Sequence, residues 1–227
     1  MNYSYYLLII FLLFTIYFVT YLDLLDKKEG LTNKPDIVFI GDSMLDNSSY
    51  IQSNKSVPDL MKEKGSNLLN YAKDGATIHA CYSQINSLIS VSNNNGLCPE
   101  NSVFIVSAGG NDIVNENRNN PITESFIQTL FTQYSNMVLT IRKKCTQSPI
   151  YLLNLYKPLK TKFEKLYPFI DQWNSLIDEF AKNNKFKVIP TNKLLTLDTD
   201  FVYEYEPSET GGQKIVDAIY HSVSVSF

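Results

Sequence analysis

Three short polar loops contain the residue types that acyl transfer needs. Ser43 follows Gly41 and Asp42 and can supply an oxygen nucleophile, although a serine in such a turn can also serve only as a cap. Gly75 lets a backbone N–H approach a developing oxyanion closely because it has no Cβ, and the side-chain amide of Asn111 can donate to the same oxyanion. Each loop follows a predicted strand, so all three are expected at the carboxyl edge of one sheet, where α/β proteins bind ligands.

The elements that would position these loops alternate between strand-like and helix-like apolar patterns. Short apolar runs predict strands at 37–40, 67–71, 102–107, 150–155 and 186–189. Helical spacing or capping predicts helices at about 57–64, 77–89, 123–144, 169–182 and 209–223, with Ser56 as the first N-cap. Polar loops are predicted at 93–96 and from 109 to 121. This alternation predicts an α/β domain whose parallel sheet is covered on both faces.

Composition excludes several classes of partner. The 227 residues suffice for one good-sized domain, and a net charge of −3 without a Lys/Arg cluster gives no reason to expect nucleic acid. Cys81, Cys98 and Cys145 are too few for a disulfide framework and contain no zinc-type pair. Their odd number leaves at least one thiol free or paired between chains. We therefore predict neither a metal nor a cofactor.

The N-terminal segment is almost wholly apolar. Residues 3–22 contain no charge, and about 20 helical residues span the ~30 Å core of a bilayer. We predict a single-pass transmembrane or uncleaved signal anchor at 1–24, a linker at 25–34 and one domain over 35–227. A cleaved signal peptide is less consistent, because no positive n-region or small-residue cleavage site is present. The side of the membrane that carries the domain stays open. Lys27 and Lys28 favour a cytoplasmic domain, whereas enzymes with an N-terminal anchor more often have their domain on the other side of the membrane.

Taken together, the loops resemble the conserved blocks of the SGNH/GDSL hydrolase family. The matching residues are Gly41-Asp42-Ser43, Gly75 and Gly109-Gly110-Asn111-Asp112. The resemblance runs from about Pro35 to the C-terminus and implies a flavodoxin-like three-layer α/β/α fold that performs ester hydrolysis or acyl transfer. It also implies Ser43 as nucleophile, with an oxyanion hole from the N–H groups of Ser43 and Gly75 and the amide of Asn111.

The last block departs from the family pattern. The family usually has Asp-x-x-His before Pro-Ser, whereas here Glu206 precedes Pro207-Ser208 and Tyr203 occupies the Asp position. The chain is most similar to a bacterial branch with Asp-Asn shortly after Gly-Asp-Ser, here Asp46-Asn47, and Glu-Pro-Ser near the end. That resemblance implies that the glutamate is a feature of the branch.

Glu206 is therefore the predicted general base. An unperturbed Glu has a pKa near 4.3 against about 6.5 for His, so it is the weaker base. Burial against the neighbouring tyrosines would raise the pKa of Glu206 into a useful range. A carboxylate also needs no third residue to set its tautomer.

Five further residues are predicted to support the site: Asp42, Asp46, Asn47, Asp112 and His79. Asp112 is expected to orient its own loop, and Asp46 and Asn47 to do so beside Ser43. His79 would lie near the site at a helix start, with capping or packing as the alternative. Carboxylates at strand ends also bind Mg²⁺ in some α/β enzymes, but the Gly-x-Asn-Asp context favours an acyl site.

Two functions follow from these residues. The first is a membrane-anchored serine esterase or acyl hydrolase that acts on a small ester or O-acyl group near a membrane. The second is a catalytically silent domain that binds an acylated sugar, lipid or protein partner, which the missing His and Asp would explain. The oligomeric state and the substrate stay open.

Overall fold

The computed structural model describes residues 13–21, 35–52, 54–91, 98–99 and 101–224. Residues 13–21 are helical and exposed. Within the described ranges, no helix combines the length and the apolarity needed to cross a bilayer. Most of the predicted anchor, the whole predicted linker and the predicted loop at 93–96 lie outside these ranges, so those assignments stay predictions. The chain divides into two compact units, Met1–Lys34 and Pro35–Phe227.

A five-stranded parallel sheet forms the centre of the second unit. Its strands are β1 (Asp36–Ile40), β2 (Asn67–Asn70), β3 (Ser102–Val106), β4 (Ile150–Leu153) and β5 (Lys187–Ile189). Their order is β2-β1-β3-β4-β5, which is the flavodoxin-like order. The side chains of β3 and β4 and nearly all of those of β1 are buried, as continuous apolar runs require in a sheet covered on both faces. The predicted α/β class with a central parallel sheet is confirmed.

Helices connect the strands and pack in two groups. They are α1 (Val57–Glu63), α2 (Ile78–Val91), α3 (Gly110–Asn119), α4 (Glu124–Lys144), α5 (Tyr167–Asn184), α6 (Thr191–Leu194) and α7 (Glu209–Ser224). Helix α1 packs with α7, whereas α2 and α5 both pack with α4. Ser56 caps α1 as predicted, since its side chain accepts a hydrogen bond from the backbone N–H of Asp59.

Helix α3 corrects the predicted loop at 109–121. Its sequence is rich in Asn and charged residues and buries only Ile113, so the apolar period that reveals a helix is missing. A short antiparallel hairpin of β6 (Phe201–Val202) and β7 (Glu206–Pro207) was likewise not predicted. Neither were two 3₁₀ segments, Thr161–Leu166 and Asp198–Asp200.

One disulfide lies at the amino edge of the sheet, opposite the carboxyl ends of the strands. It joins Cys98, before β3, to Cys145, before β4, with 5.4 Å between the Cα atoms. Cys81 is buried and free, so it is the thiol left over from the odd number.

Candidate active site

Residues 41–47, which we call the nucleophile turn, follow β1 at the carboxyl edge of the sheet. Gly41 is enclosed on two sides. On one side the backbone of β3 is so close that a Cβ on residue 41 would collide with the carbonyl of Ser107. The Gln84 side chain of α2 accepts from the Gly41 N–H at 2.7 Å and donates to its carbonyl at 2.8 Å. The backbone that leads to Ser43 is therefore fixed between β3 and α2.

Asp42 is buried within this turn. Its Oδ1 accepts hydrogen bonds from the Ser107 hydroxyl at 2.5 Å and from the Met44 N–H at 3.2 Å. Burial raises the pKa of Asp42 to about 6, although both hydrogen bonds act in the opposite direction. The carboxylate is thus occupied in holding the turn to the end of β3.

The first turn of α3 is tied to the loop between β2 and α2. Asn111 donates from Nδ2 to the carbonyl of Ala76 at 3.0 Å, and Asp112 Oδ2 accepts from the backbone N–H of Ile78 at 3.1 Å. Asp112 therefore holds the neighbouring loop at the start of α2 as well as its own. Burial raises the pKa of its carboxyl.

Gly75 lies in this loop in a backbone conformation that favours glycine. Its φ of +74° is a left-handed conformation, whereas a Cβ at this position would meet no protein atom within 4 Å. Backbone conformation rather than crowding by the protein therefore requires the glycine. Gly75 does not line the pocket that contains Ser43 and Asn111.

Glu206 begins β7 and faces the nucleophile turn. Its Oε2 accepts a hydrogen bond from the Tyr50 hydroxyl at 2.9 Å, and its carboxylate also interacts with the hydroxyl of Ser43. Burial raises the pKa of Glu206, whereas hydrogen bonding to Ser43 and Tyr50 lowers it in part. The net direction is upward, which is the direction that a general base at neutral pH requires.

Asn47 joins the two sides of the site. It is fully buried, its Oδ1 accepts from the Val57 N–H at 2.7 Å, and its Nδ2 donates to the Pro207 carbonyl at 3.1 Å. It thereby links the end of the nucleophile turn to the residue that follows Glu206. Asp46 is only partly buried, and its Oδ1 accepts from the N–H and hydroxyl of the exposed Ser48.

Two residues that the sequence analysis singled out, His79 and Tyr203, lie apart from these contacts. His79 is exposed in the first turn of α2, and none of the described hydrogen bonds at the site involves its ring. Tyr203, at the position of the family Asp, is 71% exposed and sets its ring edge-on to Tyr50. Neither side chain contacts Glu206 in the way that Tyr50 does.

The pocket beside Ser43 is narrow and mainly apolar. Its polar end consists of Asp42, Ser43, Asn111 and Glu206. Its apolar wall includes Met44, Ile113, Val114, Leu155, Tyr156, Leu166, Ile170 and Tyr205. Its cavity volume is ≈ 60 Å³, whereas a single water molecule needs roughly 10–15 Å³. The pocket therefore accommodates a small group.

Sequence reasoning missed several residues that build the site. Tyr50 contacts Glu206, Gln84 holds Gly41, and Tyr156 donates to the carbonyl of Tyr205 at 2.6 Å. None of the three carried a signal in the sequence, because the buried stripe of α2 (Ile78, Cys81, Ile85 and Leu88) is unbroken and the partners of all three residues are distant along the chain.

The sequence profile of the GDSL-like lipase/acylhydrolase family matches residues 39–213, which is more than half of the chain. The chain belongs to this family, and the predicted resemblance to SGNH/GDSL hydrolases is confirmed. Among curated proteins, none is significantly similar to it in sequence.

Solved structures of this family share the fold. A member of the lipolytic G-D-S-L family from Veillonella parvula has a TM-score of 0.66 at 14% identity, over 82% of this chain and 96% of that one. The esterase EstA from Pseudoalteromonas, inhibited by monoethylphosphonate, has a TM-score of 0.59 at 16% identity, over 84% and 97%. A catalytic mutant of the acetylxylan esterase of Geobacillus stearothermophilus has a TM-score of 0.61 at 12% identity, over 83% and 94%.

Proposed function

We propose that this chain is a serine esterase or acyl hydrolase in which Ser43 is the nucleophile and Glu206 the general base. The observation that carries the proposal is that Ser43 and the partly buried Glu206 line the same pocket at the carboxyl edge of the sheet, where the Ser43 hydroxyl is close enough to influence the pKa of the Glu206 carboxyl. Membership of the GDSL-like family supports hydrolysis in general. The esterases among the structural neighbours support ester bonds as the substrate class.

In the first half of the proposed reaction, the Ser43 oxygen attacks the acyl carbon while its proton passes to Glu206. The tetrahedral intermediate then collapses, the bond to the leaving alkoxide breaks, and Glu206 returns the proton to that oxygen. A water then attacks the acyl-enzyme and gives its proton to Glu206. The bond between the acyl carbon and the Ser43 oxygen breaks, Glu206 returns the proton to Ser43, and the acid is released. Each proton is thus taken up and returned by one carboxylate.

The proposed oxyanion donors are the N–H groups of Ser43 and Gly75 and the Nδ2 of Asn111. Asn111 uses one of its two amide protons to bond the Ala76 carbonyl, which fixes the plane of the amide and leaves the other proton for substrate. Because Ala76 adjoins Gly75, the same hydrogen bond positions two of the three donors.

The pocket supports a short acyl group as substrate. A volume of ≈ 60 Å³ corresponds to a few water molecules, so an acetyl-sized group fits better than a fatty-acid chain. We also propose that residues 1–24 hold the domain near a membrane, which the uncharged apolar run at 3–22 supports. Fractionation of the full chain beside a chain that lacks 1–24 tests this part.

The test of the chemistry is turnover of p-nitrophenyl acetate together with labelling by a fluorophosphonate probe. Ser43→Ala should abolish both, and Glu206→Gln should lower kcat by about 10²–10⁴-fold, the usual contribution of a general base. Matched controls are Ser87→Ala and Glu63→Gln, which change exposed side chains in α2 and α1.

Equal rates in wild type and Ser43→Ala would reject the proposal. Absent labelling combined with retained binding of an acylated ligand would favour the silent binding domain instead. The absence of the family's His and Asp is the observation that keeps this second function in view.

A further inference from the structure

Tyr50 is the polar side chain that contacts Glu206 from outside the family's motif blocks. Its hydroxyl donates to Oε2 of Glu206 at 2.9 Å. Its backbone belongs to the turn that follows the nucleophile, since the Tyr50 N–H donates to the Asn47 carbonyl at 3.3 Å. One residue therefore joins the base to the chain segment that presents Ser43.

We propose that Tyr50 is the positioning residue of the base, which holds the Glu206 carboxylate in the orientation that accepts the proton of Ser43. This inference rests on the proposed esterase function. A histidine base needs a partner for its tautomer. A glutamate base needs a partner for a different reason, because its flexible side chain and freely rotating carboxylate must be held in one geometry.

The chemistry of a phenol suits this task. Burial and the nearby Glu206 raise the pKa of Tyr50 far above its ordinary value, so the hydroxyl stays protonated and donates at every working pH. A hydrogen bond to a carboxylate is charge-assisted and therefore stronger than one between neutral groups. Tyr50 also lowers the pKa of Glu206 against the effect of burial, so the base is ionised at a lower pH.

Tyr50 also contacts the hairpin on which Glu206 lies. Its ring meets the ring of Tyr203 edge-on, with centroids 6.0 Å apart. Tyr203 and Glu204 have φ angles of +46° and +79°, and side chains in this left-handed region carry backbone strain that surrounding contacts must offset. The ring of Tyr50 stabilises that turn, while its hydroxyl orients the carboxylate two residues beyond Glu204.

Several other titratable groups face Glu206. Asp42 lies in the nucleophile turn, Asp74 in the loop after β2, and Tyr156 after β4. All of them are unchanged when the Tyr50 hydroxyl alone is removed. A difference in pH dependence between wild type and Tyr50→Phe therefore reports the loss of this one hydrogen bond.

The experiment compares wild type, Tyr50→Phe and the control Tyr82→Phe in turnover of p-nitrophenyl acetate over a range of pH. Tyr82→Phe removes a hydroxyl of α2 that donates to the exposed carbonyl of Gln133, remote from the pocket. We expect Tyr50→Phe to lower kcat by about 10–100-fold, less than loss of the base itself, with little change in KM. The acid limb of its pH–rate profile should move to higher pH, because Glu206 loses a donor to its charged form. Tyr82→Phe should match wild type.

Two failures are distinguishable. Turnover that does not depend on Ser43 overturns the proposed function and this inference with it. Ser43-dependent turnover in which Tyr50→Phe leaves both kcat and the acid limb unmoved overturns the inference alone. A lower melting temperature with an unmoved acid limb has the same meaning, because it assigns Tyr50 a purely structural role.

Discussion

The two halves of the site are built in different ways. The nucleophile turn follows β1, an inner strand of the sheet, is largely buried, and is fixed by Gln84 of α2 and by Ser107 at the end of β3. The proposed base, Glu206, lies on a hairpin of two-residue strands, β6 and β7, whose connecting residues include the exposed and strained Tyr203 and Glu204. The proposed nucleophile is thus positioned by the central sheet, and the proposed base by a small peripheral hairpin.

Because of this difference, substitutions in the two halves should differ in their effect on the free energy of unfolding. Substitutions in the nucleophile turn should mainly lower the free energy of unfolding, because they leave buried partners unpaired. Substitutions at the tip of the hairpin should change that free energy little, because few buried contacts are lost there. A residue that joins both halves should show the largest effect.

Asn47 joins the two halves through buried hydrogen bonds, and Asn47→Ala gives the largest expected loss of stability. It would leave the Val57 N–H and the Pro207 carbonyl unpaired in the interior. At about 1–3 kcal/mol for each group, the free energy of unfolding should fall by about 4 kcal/mol in urea denaturation. Asp46→Ala is the matched control, since its bonds are exposed and its loss should stay below about 1 kcal/mol. Equal losses at both positions would break the comparison.

Asp42→Asn should change how stability depends on pH. Asp42 has a pKa of about 6 in the folded chain against about 3.9 when unfolded. The folded state therefore holds the extra proton, and its contribution is complete below about pH 4 and is lost as the pH rises through about 6. Wild type should lose about 2 kcal/mol more than Asp42→Asn between pH 4 and pH 7. Parallel curves of stability against pH for the two proteins would show that folding does not raise the pKa of Asp42.

Glu204→Gly should have the smallest effect. Glycine relieves the positive φ of Glu204, whereas loss of the exposed ion pair with Lys162 acts in the opposite direction. The free energy of unfolding should change by less than about 1 kcal/mol. Lys185→Gly, at the left-handed C-cap of α5, is the control and should stabilise by about 1 kcal/mol. A loss above about 2 kcal/mol for Glu204→Gly would show that the hairpin is held as firmly as the nucleophile turn.

The sequence predicts the sheet well because its physical cause is local. Strands β1, β3 and β4 are continuous apolar runs, and such runs are stable only in a covered parallel sheet. Helix α3 escapes prediction because its polar sequence is held by contacts such as the hydrogen bond that the Ile78 N–H donates to Asp112. Such contacts join residues distant in sequence, so they exist only in the folded chain.

The same division applies to the site. Ser43, Asn111 and Glu206 are found through short motifs, because the chemistry needs particular atoms beside a turn. Gln84 and Tyr50 act on partners that are 43 and 156 residues away in sequence. No spacing rule predicts such pairs, so the residues that hold the site are visible only in three dimensions.

The burial of Asn47 also bears on covalent modification. Asn47-Ser48-Ser49 has the pattern of an N-glycosylation acceptor. In the folded chain the Asn47 amide has no exposed surface, and its nitrogen donates to the Pro207 carbonyl. A glycan could be attached only before folding, and it would then remove that donor and force a bulky group between the two halves of the site. Occupancy at Asn47 and the folded state therefore exclude each other, so a glycan there would mark molecules that never reached the folded conformation.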